Sequence, residues 1–170
     1  ISFSFPLVIK KARSSLSQGV YIAQDASGLI LQLRQVFEQS GYADNVFVVQ
    51  EYIVGEEYRV IASQGEILLA YLKEGTIGEN QDINPLHQRD GKAVPLESGR
   101  LYEDFSNLTT RIFEVIDLGF YAFDLILSDS GPKILELNPN PFCYFYNKTN
   151  GRSDFISIYE QLIEKFILSD

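Results

Sequence analysis

The stretch "FDLILSDSGPKILELNPNP", residues 123–141, decides how this chain is read. Two β-rich runs flank Ser128-Asp129-Ser130-Gly131, a turn composition, so together they predict a hairpin. Side chains alternate across a strand, which puts Ile134, Glu136 and Asn138 on one face of the second run and Leu135 and Leu137 on the other. A three-residue turn over Asp129, Ser130 and Gly131, with Gly131 left-handed, pairs Ser128 with Pro132. That register sets Asp124 opposite Glu136 and Ala122 opposite Asn138. Directly opposed side chains stand about 4.5–5.5 Å apart at Cβ, and like charges there are destabilising. Two facing carboxylates therefore need a proton or a cation. With the Asn138 amide oxygen they form an all-oxygen set that suits Mg²⁺, which takes one or two carboxylates and keeps waters or phosphate oxygens. The plainer alternative is a solvated acidic sheet face.

The rest of the chain sets this hairpin in a mixed fold. "FPLVIKKA" (5–12) and "VYIA" (20–23) read as strands around the polar loop "RSSLSQG". Ser27 is the expected N-cap of a helix with Leu29, Leu33, Val36 and Phe37 on one face, ended by Gly41. "NVFVVQEYIV" (45–54) is β-rich, and "EYRVIAS" and "EILLAYLK" form a hairpin turning at Gln64-Gly65. Residues 74–100 read mostly as loop. Leu101, Phe105, Leu108, Ile112 and Val115 keep helical spacing up to Gly119, and the tail from Asp154 repeats Phe155, Ile158, Tyr159, Leu162, Ile163 and Phe166 on one helix face. The order predicts an α+β fold, antiparallel sheet packed by helices.

Composition narrows the function classes. The chain has 170 residues, 45% of them hydrophobic, enough for one ordinary core. A net charge of −9 argues against a general nucleic-acid binder, while leaving room for a small anion held by local cations. The one cysteine, Cys143, cannot close an internal disulfide. No apolar run approaches the roughly 20 residues that span a bilayer, and no signal peptide is visible, so a cytoplasmic protein without membrane association is expected. The opening "ISFSFPLVIKK" enters mid-pattern and there is no methionine, which points to a fragment.

A magnesium ion with open positions invites phosphates, and the sequence offers partners for them. Lys10 ends a strand just before the Ser/Gly loop from Arg13 to Gly19, a combination that can present a point charge, hydroxyls and backbone N–H groups. In "VVQEYIVGEEYRV" (48–60) a strand runs into a short hinge whose free backbone groups suit an adenine edge. Glu57 can accept from ribose hydroxyls, and Arg59, on the same face, can pair bidentately with phosphate or carboxylate. Taken singly, Lys10 is equally a surface lysine, and Glu57 with Arg59 a structural ion pair. His87 reads as a loop histidine and Cys143 as a small packing residue.

Taken together, "FPLVIKKARSSLSQGV … VVQEYIVGEEYRV … FDLILSDSGPKILELNPNP" resembles the ATP-grasp superfamily, and within it the D-alanine–D-alanine ligase and related carboxylate–amine ligase branch. The resemblance runs over nearly the whole chain. It implies an ATP-grasp fold of two subdomains with the first incomplete: residues 1–49 as the remainder of the small lid subdomain and 50–170 as the large subdomain with hinge and metal site. It implies ATP and two Mg²⁺ ions, Mn²⁺ being an alternative, with Asp124, Glu136 and Asn138 as metal ligands. Lys10 and the loop holding Ser14, Ser15, Ser17 and Gly19 correspond to phosphate contacts, Gln50, Glu51 and Ile53 to the adenine hinge, and Glu57 to the ribose acid. The partners implied are small carboxylate and amine substrates and a missing N-terminal substrate domain. The implied activity is an ADP-forming ligase working through an acyl phosphate, the 170 residues alone being inactive. The alternatives are a nucleotide-binding module without catalysis and an ATP-grasp small-molecule kinase.

The chain departs from that pattern in four places. Ala122 stands where many relatives carry arginine two residues before the metal aspartate, so Arg59 or Lys73 is left to supply the catalytic positive charge. The loop "RSSLSQG" has a single glycine. Phe142 replaces a glycine usual in D-alanine ligases, which disfavours D-alanyl-D-alanine as product. The hairpin between Asp124 and Glu136 is one residue tighter than is usual there.

Overall fold

The structure, a computed structural model, describes residues 4–11, 20–39, 46–76, 83–151 and 153–168. It divides into two compact units, Ile1–Val54 with Thr76–Gln88, and Gly55–Gly75 with Arg89–Asp170. The first compact unit runs to Val54, and the segment Thr76–Gln88 groups with it.

In the first unit, β1 (Leu7–Lys11) is the central strand of an antiparallel sheet between β2 (Val20–Ala23) and β3 (Phe47–Glu51). Its apolar run Leu7, Val8 and Ile9 is buried, as a strand covered on both faces requires. Helix α1 (Ala26–Gln39) buries Val36, and Phe37 meets Phe47 edge-on with ring centroids 4.9 Å apart. The helix begins one residue before the expected Ser27 cap: the Asp25 carboxylate accepts the Gly28 N–H at 2.7 Å. Asp serves as well as Ser at that position, so either residue fits the sequence. Gly41 lies outside the described residues.

The second unit is built on five antiparallel strands in the order β6-β5-β4-β7-β8: β4 (Glu56–Ser63), β5 (Glu66–Glu74), β6 (Lys92–Pro95), β7 (Phe120–Ser128) and β8 (Gly131–Asn138). The short edge strand β6 lies within the stretch expected to be mostly loop, and four residues give too little alternation to announce it. Helix α2 (Arg100–Ile116) covers one sheet face. There Tyr58, Val60, Ala62, Ala70, Tyr121, Phe123 and Leu125 pack with Phe105 and Ile112 into the core. The helix ends at Ile116, earlier than Gly119, because Asp117 adopts a left-handed conformation and its N–H returns to the Phe113 carbonyl at 2.8 Å. Val115, expected on the apolar face, is exposed.

The opposite sheet face carries Glu57, Arg59 and Ile61 from β4, Tyr71 and Lys73 from β5, Ala122 and Asp124 from β7, and Glu136 and Asn138 from β8, as the strand registers dictate. Short helix α3 (Tyr144–Asn150) packs Tyr146 against Tyr71, the ring centroids 5.3 Å apart and the planes tilted by 37°. Helix α4 (Ser153–Ile163) follows and buries Ile158, while Tyr159, Ile163 and Phe166 of the same expected face are exposed. Among the described residues no helix is long and apolar enough to cross a membrane.

Candidate functional site

Two β-bulges decide which residues meet on the polar face. The β4–β5 hairpin turns tightly at Gln64-Gly65, both with positive φ (49° and 82°). From a two-residue turn, regular counting would set Lys73 opposite Glu56, facing the core. A register shift between Ile61 and Ala62 makes Leu68 an extra residue, which pairs Arg59 with Tyr71 and brings Lys73 round to the face of Glu57. The β7–β8 hairpin repeats the device. Its turn is Asp129-Ser130, with Ser128 opposite Gly131 and Leu127 opposite Pro132, one residue shorter than the three-residue turn expected from sequence. A second shift, between Asp124 and Leu125, makes Leu135 the extra residue and restores the expected pairs Asp124–Glu136 and Ala122–Asn138.

The result is a buried charge cluster centred on Asp124. Arg59 Nη1 donates to Asp124 Oδ2 at 2.8 Å. Lys73 Nζ donates to Glu57 Oε1 at 2.5 Å and lies 2.9 Å from Asp124 Oδ1. That second contact is a buried ion pair. Arg59 Nε is buried with no hydrogen-bond partner. Side-chain exposure is 5% at Asp124, 7% at Lys73, 12% at Arg59 and 19% at Glu57, so solvent screens these charges weakly.

Burial, the largest influence on Asp124, pushes its carboxyl up. Lys73 and then Arg59 outweigh that and hold it below the usual carboxylate range, with the Glu136 side chain, in hydrogen-bonding reach, acting the same way. For Lys73 burial opposes the charge, but Asp124 and Glu57 together raise the ammonium above its ordinary value. Arg59 is raised in the same manner by Asp124 against the cost of burial. All three groups are charged at neutral pH.

Asp124 and Glu136 offer facing carboxylates, and Asn138 closes the group, its Oδ1 accepting the Asn140 N–H at 2.9 Å. Among the described residues no group of three or more His, Cys, Asp or Glu side chains could hold a metal alone. The hairpin instead provides two carboxylates and an amide. That donor set fits a hard cation that completes its shell with water or phosphate oxygens.

Apart from Cys143, the other sequence-derived candidates lie in the first unit. Lys10 is half-buried on β1, opposite Val20 and Val48. Gln50 and Glu51 end β3, and Ile53 follows outside regular secondary structure. Ser14, Ser15, Ser17 and Gly19 lie outside the described residues. His87 closes a 3-10 turn, Pro85–His87, with its Nε2 3.4 Å from Asn84 Nδ2. Cys143 is buried in the run after Asn138, and burial pushes its thiol up to about 11. The sequence does not announce the direct grip of Glu57 on Lys73, because the bulge at Leu68 that brings them to one face leaves no mark in hydrophobic alternation.

Comparison with known proteins agrees with this architecture. The model of the RimK-like ATP-grasp domain matches residues 1–165, and the chain belongs to that family. A probable alpha-L-glutamate ligase of Psychromonas ingrahamii is 29% identical over 161 residues, covering 92% of this chain and 50% of the relative. The D-alanine–D-alanine ligase of Syntrophotalea carbinolica is 28% identical over 141 residues, 81% of this chain and 45% of the relative. The chain therefore spans about half the length of these relatives. Among solved structures, the D-alanine–D-alanine ligase of Bacillus anthracis complexed with ATP superposes with a TM-score of 0.68 at 21% identity, over 97% of this chain and 52% of that one. The fold is the α+β ATP-grasp fold expected from sequence, and the curated relatives are named as ligases.

Proposed function

We propose that the protein carrying this chain is an ATP- and magnesium-dependent, ADP-forming ligase of the cytoplasm that joins a carboxylate to an amine through an acyl phosphate. One observation carries the reading: Asp124 and Glu136 oppose each other on the sheet face where Arg59 and Lys73 both contact Asp124. Asp124, Glu136 and Asn138 would hold magnesium, which when bound supplies positive charge to phosphate oxygens. Lys73 and Arg59 neutralise the charge that builds on the transferring phosphoryl group. Their burial makes that stabilisation stronger than it would be in water. Arg59 supplies the cation that relatives place at the position of Ala122. Glu57 orients Lys73 through one oxygen and keeps the other for a ribose hydroxyl. In the first unit, Lys10 and the loop with Ser14, Ser15, Ser17 and Gly19 serve phosphate, and Gln50, Glu51 and Ile53 serve adenine.

The chemistry balances as two displacements. A substrate carboxylate oxygen attacks the γ-phosphorus, the bond to the β-phosphate oxygen breaks, and ADP leaves. The amine nitrogen then attacks the acyl carbon, phosphate departs with the C–O electron pair, and the amine loses a proton to water. Amino acids are the first substrates to screen, because the named relatives are glutamate and D-alanine ligases. Phe142, 70% exposed four residues past Asn138, is a bulky neighbour that makes D-alanine pairs the less favoured choice. The test is ADP release by the full protein across amino-acid pairs, with products identified by mass. ADP release that needs Mg²⁺ and both substrates supports the reading, and a full protein that binds no Mg-ATP ends it.

A further inference from the structure

Both oxygens of the Asp124 carboxylate already face a cation, Oδ2 on Arg59 at 2.8 Å and Oδ1 on Lys73 at 2.9 Å. A divalent ion reaching the same carboxylate meets two positive charges already paired with its oxygens. Like charges that close, weakly screened by solvent, oppose each other strongly. Lys73 has a second anchor in Glu57 at 2.5 Å, so it can loosen from Asp124 without becoming an unpaired buried charge. The unpartnered Arg59 Nε is a donor with capacity for one more acceptor. A polyphosphate answers both needs, since its oxygens give Lys73 and Arg59 new acceptors while adding negative charge for the metal.

Resting on the ligase reading above, we propose that Lys73 and Arg59 act as placeholders on Asp124, competing with a bare metal ion and transferring to phosphate when metal and nucleotide arrive together. Bare metal and nucleotide thus bind with strong positive coupling, and the coupling resides in these two side chains. The sign is opposite to that of an ordinary binding residue. Removing Lys73 strengthens bare-metal binding and weakens binding of the metal–nucleotide complex.

The experiment is Mn²⁺ binding to the full protein followed by electron paramagnetic resonance, with and without a non-hydrolysable ATP analogue. Wild type, Lys73→Met, Arg59→Gln and Lys73→Met/Asp124→Asn are compared. The expected result is at least tenfold tighter bare Mn²⁺ binding in Lys73→Met and a smaller gain in Arg59→Gln. The Asp124→Asn double variant loses the gain, and the analogue raises Mn²⁺ affinity less in both single variants than in wild type. Bare Mn²⁺ binding unchanged or weakened in both single variants, with wild type still binding Mn²⁺ and analogue, overturns the placeholder role and leaves the nucleotide site standing. Wild type that takes up neither bare nor nucleotide-bound Mn²⁺ overturns the ligase reading and this inference with it. Should Lys73→Met fail to fold, Arg59→Gln decides by the same sign.

Discussion

At the scale of single residues, the second unit places its charged groups where they cost most unless paired. Asp124 compensates both Lys73 and Arg59, so its loss leaves Arg59 without its carboxylate and Lys73 with Glu57 alone. Asp124→Asn is expected to lower stability by about 3 kcal/mol, the usual size for breaking a buried pair, as read from urea unfolding. A neutral exchange of the exposed pair Lys92–Glu74, 2.8 Å apart, is expected to change stability by less than about 1 kcal/mol in the same assay. Cys143 gives a different signature. Burial raises its thiol from 9.0 to about 11, with Arg59 pulling the other way, so it stays protonated at pH 8 and should label with thiol reagents only on unfolding. The folded chain holds that proton more tightly than the unfolded one. Its contribution to stability is therefore complete below pH 9.0 and lost as the pH climbs through about 11, which chemical denaturation across that range would report.

At the scale of elements, the two hairpins explain both the success and the limit of sequence reading. Alternation and turn composition are enough to predict β4, β5, β7 and β8, and the pairing of Asp124 with Glu136 follows from parity. The turn itself was assigned one residue too long, because nothing in "SDSGPK" separates a three-residue turn from a two-residue turn with a bulge farther along. Lys73 illustrates the same blindness. Whether it faces Glu57 or the core depends on Leu68, and a bulge leaves no mark in hydrophobic alternation. Deleting Leu135 should close the second bulge and leave Glu136 opposite Asp124 in regular pairing. Retained Mn²⁺ binding is the expected outcome. Gly65 occupies the left-handed position of its turn, and an added Cβ would sit 3.3 Å from Phe113 of α2. Gly65→Ala is thus expected to destabilise by about 1–2 kcal/mol, the strain of a left-handed residue with a side chain.

At the scale of the whole molecule, the second unit is interrupted in sequence yet continuous in its core. Every residue of the cluster from Tyr58 to Leu125 comes from Gly55–Gly75 or Arg89–Asp170, and Glu74 pairs directly with Lys92 across the departure of Thr76–Gln88. That segment can therefore be replaced by a short glycine-containing turn. The resulting second unit is expected to fold alone, with one cooperative thermal transition and intact near-ultraviolet circular dichroism from Tyr58, Phe105 and Tyr121. A broad transition without near-ultraviolet signal would show that the core needs the first unit.

The paired bulges also bear on how such chains are compared. Leu68 and Leu135 behave as slip joints, each taking up one residue of length between a turn and the acids or bases farther along its strand. A homologue can gain or lose a residue at either turn, and a compensating change at the joint keeps Asp124, Glu136 and Lys73 in place. Gaps scored at the turns alone would misplace these residues by one position, on the wrong side of the sheet, while the molecule itself had not moved them.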